Sequence, residues 1–116
     1  MATLRRDGDE FVVELTAFEQ AEALHGDIRV PAWTVSSVEV VDDAIAAVHG
    51  LKLPGTAVPG LLAVGTFRLK GSKVFAVVHH DTGRGVRVVL DGADYTELVI
   101  GCHDPEAVVA ALRSTT

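Results

Sequence analysis

The segment LLAVGTFRLKGSKVFAVVHHDTGRGVRVVLDGADYTELVIG, residues 61–101, decides the fold. Apolar residues occupy alternate positions through most of it, as side chains do along one face of a β-strand. Short stretches rich in glycine, aspartate and lysine interrupt the alternation and are typical of tight turns. With three such turns between its strands, the segment predicts a four-stranded antiparallel meander. The four predicted strands cover residues 61–69, 74–80, 86–90 and 95–101.

Three further strands are predicted upstream of the meander, over residues 11–15, 28–30 and 35–41. In the first of them Phe11 and Val13 share one face, while Glu14 falls on the other, which indicates a strand with one solvated side. Pro31 ends the second strand, because proline donates no hydrogen bond to a sheet. Two short helical turns are also predicted, over residues 18–24 and 44–48.

The end of the chain has a helical pattern. Asp104 is a favourable N-cap, and Pro105 suits the first helical position. Val108, Val109 and Leu112 then follow at helical spacing. We expect this helix to cover an open edge or mouth of the sheet, where backbone groups would otherwise lack partners.

These elements predict a mainly β protein with a single domain over residues 1–116 and a core at about 10–113. The predicted architecture is a seven-stranded antiparallel barrel or sandwich capped by a C-terminal helix. The composition agrees with one compact domain, since 48% of the 116 residues are hydrophobic and 22% are charged.

Charge and cysteine content exclude several classes of protein. Ten basic and sixteen acidic residues give a net charge of −6, which disfavours nonspecific nucleic-acid binding. A single cysteine permits neither an internal disulfide nor a four-cysteine zinc site. No apolar run is long enough to span a bilayer, and the charged first residues lack the apolar region of a signal peptide. The sequence therefore predicts a soluble, cytoplasmic protein without a transmembrane segment.

Several short stretches of the chain occur together in one known family. They are HGDIRVP (residues 25–31), VEVVDD (38–43), PGT with PG (54–56 and 59–60), GTFR (65–68) and HDPEA (103–107). This pattern resembles small, uncharacterised actinobacterial proteins with a bacterial pleckstrin-homology-like fold. The resemblance implies two nearly orthogonal sheets closed by a C-terminal helix. It implies no catalytic residues and no cofactor, because the family has no assigned activity.

Residues 51–60 (LKLPGTAVPG) are predicted to form the longest irregular connection, stiffened by two Pro-Gly turns. Its surroundings are unusually apolar, which favours either a cover for one end of the barrel or a contact with another protein or subunit. A small-molecule site there is a weaker alternative. The predicted interaction residues are Trp33, Leu53, Pro54, Val58, Pro59 and Leu61.

Half of the basic residues lie between positions 68 and 87. A solvated face that protects a sheet edge is the favoured interpretation, and an anion contact, such as a lipid head group, is the alternative. In eukaryotic pleckstrin-homology domains the basic motif lies on the first two strands, which are acidic or neutral here. Lipid recognition is therefore not implied by the resemblance. The candidate anion-contact residues are Arg68, Lys70, Lys73, Arg84 and Arg87.

Two pairs of residues have chemistry that a metal site or a nucleophile would need. His79 and His80 are adjacent in a strand and point to opposite faces, so they predict no shared metal ion. Cys102 and His103 precede the helix, but adjacent residues rarely bring an imidazole to the sulfur. No catalytic, cofactor or metal-binding residue is predicted.

The sequence therefore favours a non-catalytic interaction module that binds a protein partner or itself. A small-ligand binder or modest enzyme that uses these histidines and Cys102 at the barrel mouth is the alternative. Lipid head-group binding by the basic residues is a further alternative.

Overall fold

A computed structural model describes residues 3–16, 27–44, 51–58, 62–69, 72–79 and 83–113. Only the backbone is described for residues 51–58, 62–64, 68–69 and 79. The predicted helical turn over residues 18–24 lies outside the described residues, as does all but Ala44 of the turn over 44–48. Pro59, Leu61, Lys70 and His80 also lie outside them.

A three-stranded antiparallel sheet contains the first strands of the chain, β1 (Thr3–Asp7), β2 (Glu10–Glu14) and β3 (Ile28–Pro31). Strands β2 and β3 confirm the prediction. Strand β1 was not predicted, because only Leu4 among its five residues is buried and no apolar alternation marks it. It pairs with β2 through a tight hairpin in which Gly8 has a φ of 60°. Glycine adopts that left-handed conformation at little cost.

A six-stranded sheet contains the rest, in the order β4-β8-β9-β7-β6-β5. The strands are β4 (Val35–Val41), β5 (Leu51–Val58), β6 (Leu62–Leu69), β7 (Ser72–His79), β8 (Gly85–Leu90) and β9 (Glu97–Gly101). The β6–β7 and β8–β9 pairs are antiparallel, as expected. The predicted meander is nevertheless wrong, because β9 lies between β7 and β8 and runs parallel to β7.

The position of β9 follows from its side chains. All five of its residues are buried, so the strand is covered on both faces. Such a strand belongs in the interior of a sheet, where parallel pairing is common. The continuous run of Leu98, Val99 and Ile100 is the sequence signal for this position.

The predicted irregular connection over residues 51–60 is also wrong, because residues 51–58 form strand β5. This strand pairs with β6, and its register shifts between Lys52 and Gly55. Pro54 lies within the shift, where the ladder is already interrupted. An edge strand tolerates a residue without a backbone N–H, which explains how a Pro-Gly sequence belongs to the sheet.

The core has two parts, one on each face of the six-stranded sheet. The larger part joins that sheet to the small sheet and the helix, and contains Phe75, Leu98, Ile100 and Leu112 with other apolar side chains. The second part contains Ala44, Phe67, Val74, Ala76, Val78 and Val99. The mainly β class and the C-terminal helix are thus confirmed. The single seven-stranded barrel is not, because nine strands of the described chain form two open sheets.

The helix covers Pro105–Arg113 and begins as predicted, since the Asp104 Oδ1 accepts a hydrogen bond from the Ala107 N–H at 3.2 Å. It packs against β1, β4 and β8. Strand β4 is an edge of the large sheet, and Arg113 Nη2 donates to the Val38 carbonyl there at 2.8 Å. The prediction that the helix covers an open sheet edge is confirmed. No helix in the described residues has the length and apolar character needed to cross a bilayer.

Candidate interaction surface

Trp33 has the most unusual environment among the described side chains. It lies on a short 3-10 turn, Ala32–Thr34, between β3 and β4, and is 78% exposed. It is the one large hydrophobic side chain that the described residues leave exposed. Tryptophan is a frequent anchor of protein interfaces.

The turn that carries Trp33 is fixed to both sheets. The Ala32 N–H donates to the Asp9 carbonyl at 2.6 Å, which joins it to the β1–β2 hairpin. The Thr34 hydroxyl donates to the Pro31 carbonyl at 2.6 Å, and the Thr34 carbonyl accepts from the Asp91 N–H at 2.7 Å. These bonds hold the exposed indole on a rigid support.

The indole lies beside the turn between β8 and β9. A Cβ atom built on Gly92 would lie 3.6 Å from Trp33 Cζ3, so the ring edge packs near this backbone. The φ of Gly92 is 88°, a conformation that glycine adopts readily. The Asp91-Gly92 turn predicted from the sequence is thus present, and it contributes one wall of the Trp33 environment.

A cavity of about 240 Å³ opens next to this turn, between the two sheets. Its lining comes from the end of β3 and from the β8–β9 connection, namely Arg29, Val30, Pro31, Gly92, Ala93, Asp94 and Tyr95. Pockets for drug-sized ligands usually measure roughly 300–1,000 Å³. The cavity is therefore suited to a single side chain or a small group.

Tyr95 is a buried residue of the cavity lining. Its ring packs edge-to-face on Phe75 with centroids 5.8 Å apart, and Lys73 Nζ lies 4.7 Å from its centroid. Burial raises the pKa of the Tyr95 phenol, and a hydrogen bond with Thr66 partly opposes this. The phenol is therefore neutral at physiological pH, and the lining of the cavity has a fixed polar group.

Two turns that are hydrogen-bonded to the Trp33 turn contain carboxylates. Asp7, Asp9 and Glu10 lie in or beside the β1–β2 turn, and Asp91 and Asp94 lie in the β8–β9 turn. Arg29 Nη1 lies 3.2 Å from carboxylate oxygens of both Asp7 and Glu10, so its charge is already compensated. Asp9, Asp91 and Asp94 are exposed and have no ion-pair partner in the part of the chain that the structure describes.

The structure does not bring the predicted interaction residues together. Leu53, Pro54 and Val58 belong to β5, while Trp33 directly precedes β4. Strands β4 and β5 are the two edges of the large sheet, with four strands between them. At about 4.8 Å per strand, the two sets of residues belong to different surfaces. Trp33 is the predicted residue that the observed site retains.

The predicted anion-contact residues occupy separate environments. Arg84 forms ion pairs with Glu106 and, at 3.5 Å, with Asp42. Arg87 pairs with Glu97 and, at 3.4 Å, with Glu39.

These carboxylates raise the pKa values of Arg84 and Arg87 above the ordinary value. The largest effect on Arg84 comes from its hydrogen bond to Glu106, and the largest effect on Arg87 comes from its hydrogen bond to Glu97. Lys73 lies over Tyr95, and the Arg68 Cα pairs with that of Lys73 across β6 and β7. An anion contact stays a prediction. Of its five candidate residues, Arg84 and Arg87 have guanidinium groups that are already bound to acids.

The parallel pairing of β7 and β9 places His79 and Cys102 near each other, which the sequence analysis did not predict. Val77 and Ile100 are the last paired residues of β7 and β9, and His79 and Cys102 follow two positions later. Both therefore lie at the same end of two adjacent interior strands. The Cys102 thiol is half-buried and lies 3.4 Å from the Ile100 carbonyl, while His103 is exposed. Among the described side chains, no three His, Cys, Asp or Glu residues are grouped as a metal site would require.

The environment of Cys102 does not favour a nucleophile. Burial raises the pKa of the thiol, and the nearby Asp104 and Glu106 carboxylates act in the same direction. A hydrogen bond with the Val86 backbone opposes them. Because the thiolate is the reactive form, the thiol is less reactive at neutral pH than an ordinary cysteine.

We expect iodoacetamide to alkylate Cys102 about tenfold more slowly at neutral pH than it alkylates a free model thiol. Mass spectrometry of timed samples measures the rate, and the same chain in denaturant is the control for access. As the pH is increased, the rate should rise with a midpoint above the ordinary cysteine pKa, because the folded thiol loses its proton at higher pH. Equal rates for the folded and denatured chain would contradict this prediction.

Comparison with protein-family models, with curated proteins and with solved structures finds no match to this chain. The pleckstrin-homology-like assignment stays a prediction. What the chain does must therefore be inferred from the Trp33 environment itself.

Proposed function

We infer that the protein is a non-catalytic interaction module that binds a protein partner through the Trp33 surface. We define this surface as Trp33 with the flanking turn residues Asp9, Asp91, Gly92 and Asp94. The 78% exposure of Trp33 is the observation on which the proposal depends. The scaffold supports it, because hydrogen bonds to both sheets hold the turn before any partner binds.

Rigidity matters for the affinity of such a surface. An anchor that is already in its bound geometry loses little conformational entropy on association. Tryptophan is also the residue type most enriched among the side chains that dominate interface energies, because it buries a large area with few rotatable bonds. The Trp33 surface combines these two properties.

The alternatives have weaker support. Head-group binding needs free cations, and Arg84 and Arg87 are bound to carboxylates instead. Self-association through the Trp33 surface would place like charges of two copies against each other, because that surface is rich in carboxylates. A different partner protein is therefore the proposed occupant.

Trp33→Ser is expected to abolish partner capture without unfolding the protein, since an exposed side chain contributes little to stability. Tagged wild-type and variant proteins would be used to recover partners from an extract of the source cells, with quantitative mass spectrometry as the measurement. Asp42→Asn is the control, because Asp42 is 93% exposed and follows the opposite end of β4. Specific partners recovered equally by all three proteins would overturn the proposal.

A further inference from the structure

We propose that the partner presents a basic segment to the Trp33 surface, with a lysine or arginine side chain packed against the indole. This inference rests on the proposed function and adds the chemistry of the partner. Three properties of the surface point to it: the uncompensated carboxylates, the exposed aromatic face and the size of the adjacent cavity.

The first property is charge. Asp9, Asp91 and Asp94 flank Trp33 from two turns, and the described residues provide no cation for any of them. Such a grouping attracts a cationic partner over a distance of about 10 Å at ordinary salt concentrations. The net charge of the whole chain, −6, has the same sign.

The described basic side chains of β1, β3 and β7 already have partners. Arg29 binds Asp7 and Glu10, and Arg6 donates to the Gly8 carbonyl while its Cζ lies 5.8 Å from the centroid of the Phe11 ring. Lys73 lies over Tyr95. Arg29 lines the cavity, but its two carboxylates offset its charge. These cations therefore leave the carboxylates in the two turns available to a partner.

The second property is the aromatic ring. Tryptophan attracts a cation over its face more strongly than tyrosine or phenylalanine does. The protein already contains such contacts, between Lys73 and Tyr95 at 4.7 Å and between Arg6 and Phe11 at 5.8 Å. Trp33 is the strongest aromatic acceptor of the chain and the most exposed of the described large apolar side chains.

The third property is the cavity. At about 240 Å³ it is smaller than a drug-sized ligand requires. An extended aliphatic stem that ends in a charged group matches its lining, because Val30, Pro31 and Ala93 are apolar and Asp94 is acidic. Lysine and arginine have this shape.

Trp33 is the only tryptophan of the chain, so its fluorescence reports directly on this surface. The protein would be titrated with a short peptide in which lysine and arginine alternate with glycine. A matched peptide has glutamine at every basic position, and a third has glutamate. We expect a saturable change in Trp33 emission with the basic peptide alone, and weaker binding as salt is added.

Substitutions separate the carboxylates from the indole. Asp91→Asn with Asp94→Asn should weaken binding of the basic peptide about tenfold, because two exposed charges each contribute modestly. Asp42→Asn with Glu106→Gln removes the same charge beside Arg84 and should leave the affinity unchanged. Trp33→Ser removes the reporter, so its loss of binding is measured by the anisotropy of a labelled peptide.

Three results would each overturn the basic-partner inference. The glutamine peptide could bind as tightly as the basic one, the Asp91/Asp94 variant could keep the full affinity, or no basic peptide could change the emission of Trp33. If Trp33→Ser still abolishes partner capture, each of these results leaves the proposed function in place with a partner of other chemistry. Unchanged capture by Trp33→Ser rejects the proposed function itself.

Discussion

Gly85→Ala is expected to destabilise the protein by about 3 kcal/mol. Gly85 is buried at the start of β8, between β4 and β9. A Cβ atom there would overlap the Ile100 carbonyl oxygen and would lie 3.1 Å from both Ala44 Cβ and Gly101 Cα.

The clash cannot be relieved by a small movement of a side chain. The Ile100 oxygen belongs to the backbone of a fully buried strand, and hydrogen-bonded strands flank β8 on both sides. A methyl group can be accommodated only if the β8–β9 pairing opens. Gly85 is therefore required for close approach of the two backbones.

Gly83→Ala is the matched control. The added methyl group would meet no atom within 4 Å, and the residue is exposed two positions before Gly85. Both substitutions reduce the entropy of the unfolded chain by the same amount, so their difference isolates the clash. Denaturant unfolding measures both. The free energy of unfolding of Gly83→Ala should lie within about 0.5 kcal/mol of the wild-type value. Equal unfolding midpoints for the two variants would contradict the steric argument.

The strands with clear alternation were predicted correctly from the sequence, as were the antiparallel β6–β7 and β8–β9 pairs, but the order of the strands in the large sheet was not. Residues 11–15 and 86–90 have apolar residues on alternate positions, and each forms a strand close to the predicted bounds. Pairing order depends on contacts between residues distant in the chain, which local periodicity does not specify. The continuous apolar run in β9 was the one local signal for an interior strand.

Two strands were missed for opposite reasons. Strand β1 has a polar sequence, and its β structure depends on pairing with β2. Strand β5 contains Pro54 and Gly55, a pair that by itself predicts a turn. In the structure the pair lies at a register shift in an edge strand. In both cases the partner strand decides the conformation, and propensity alone predicts the wrong one.

The candidate site was predictable only in part. Trp33 was among the predicted interaction residues. The carboxylates beside it come from the turns around Asp9 and Asp91, which lie about 80 positions apart in sequence. These two turns lie close together only because both are hydrogen-bonded to the 3-10 turn. No motif in the sequence predicts those contacts.

Arg87→Ala is expected to destabilise the protein by about 2 kcal/mol, because it would leave Glu97 buried without its cation. Glu97 is 8% exposed, and its Oε1 accepts hydrogen bonds from Arg87, including one from Nε at 3.1 Å. Its Oε2 is buried without a hydrogen-bond partner among the described residues. The cost is below that of a fully buried pair, since the Arg87 side chain is 34% exposed.

Arg84→Ala is the matched control for this ion pair. Arg84 also binds a glutamate through its guanidinium, but the Glu106 side chain is 58% exposed, against 10% for Glu97. Water can solvate Glu106 after the arginine is lost. The free energy of unfolding of the variant should therefore fall by less than about 1 kcal/mol. The comparison holds the substitution constant and changes the burial of the acid.

A double substitution tests whether the buried charge is the cause. Arg87→Leu with Glu97→Leu removes both charges and should recover most of the stability that Arg87→Ala loses, because an apolar pair requires no desolvated partner. Chemical unfolding of wild type, Arg87→Leu, Glu97→Leu and the double variant completes a thermodynamic cycle. Strictly additive losses in that cycle would show that Glu97 does not depend on Arg87. A strong coupling would instead show that the buried Glu97 carboxylate depends on the Arg87 guanidinium that binds its Oε1.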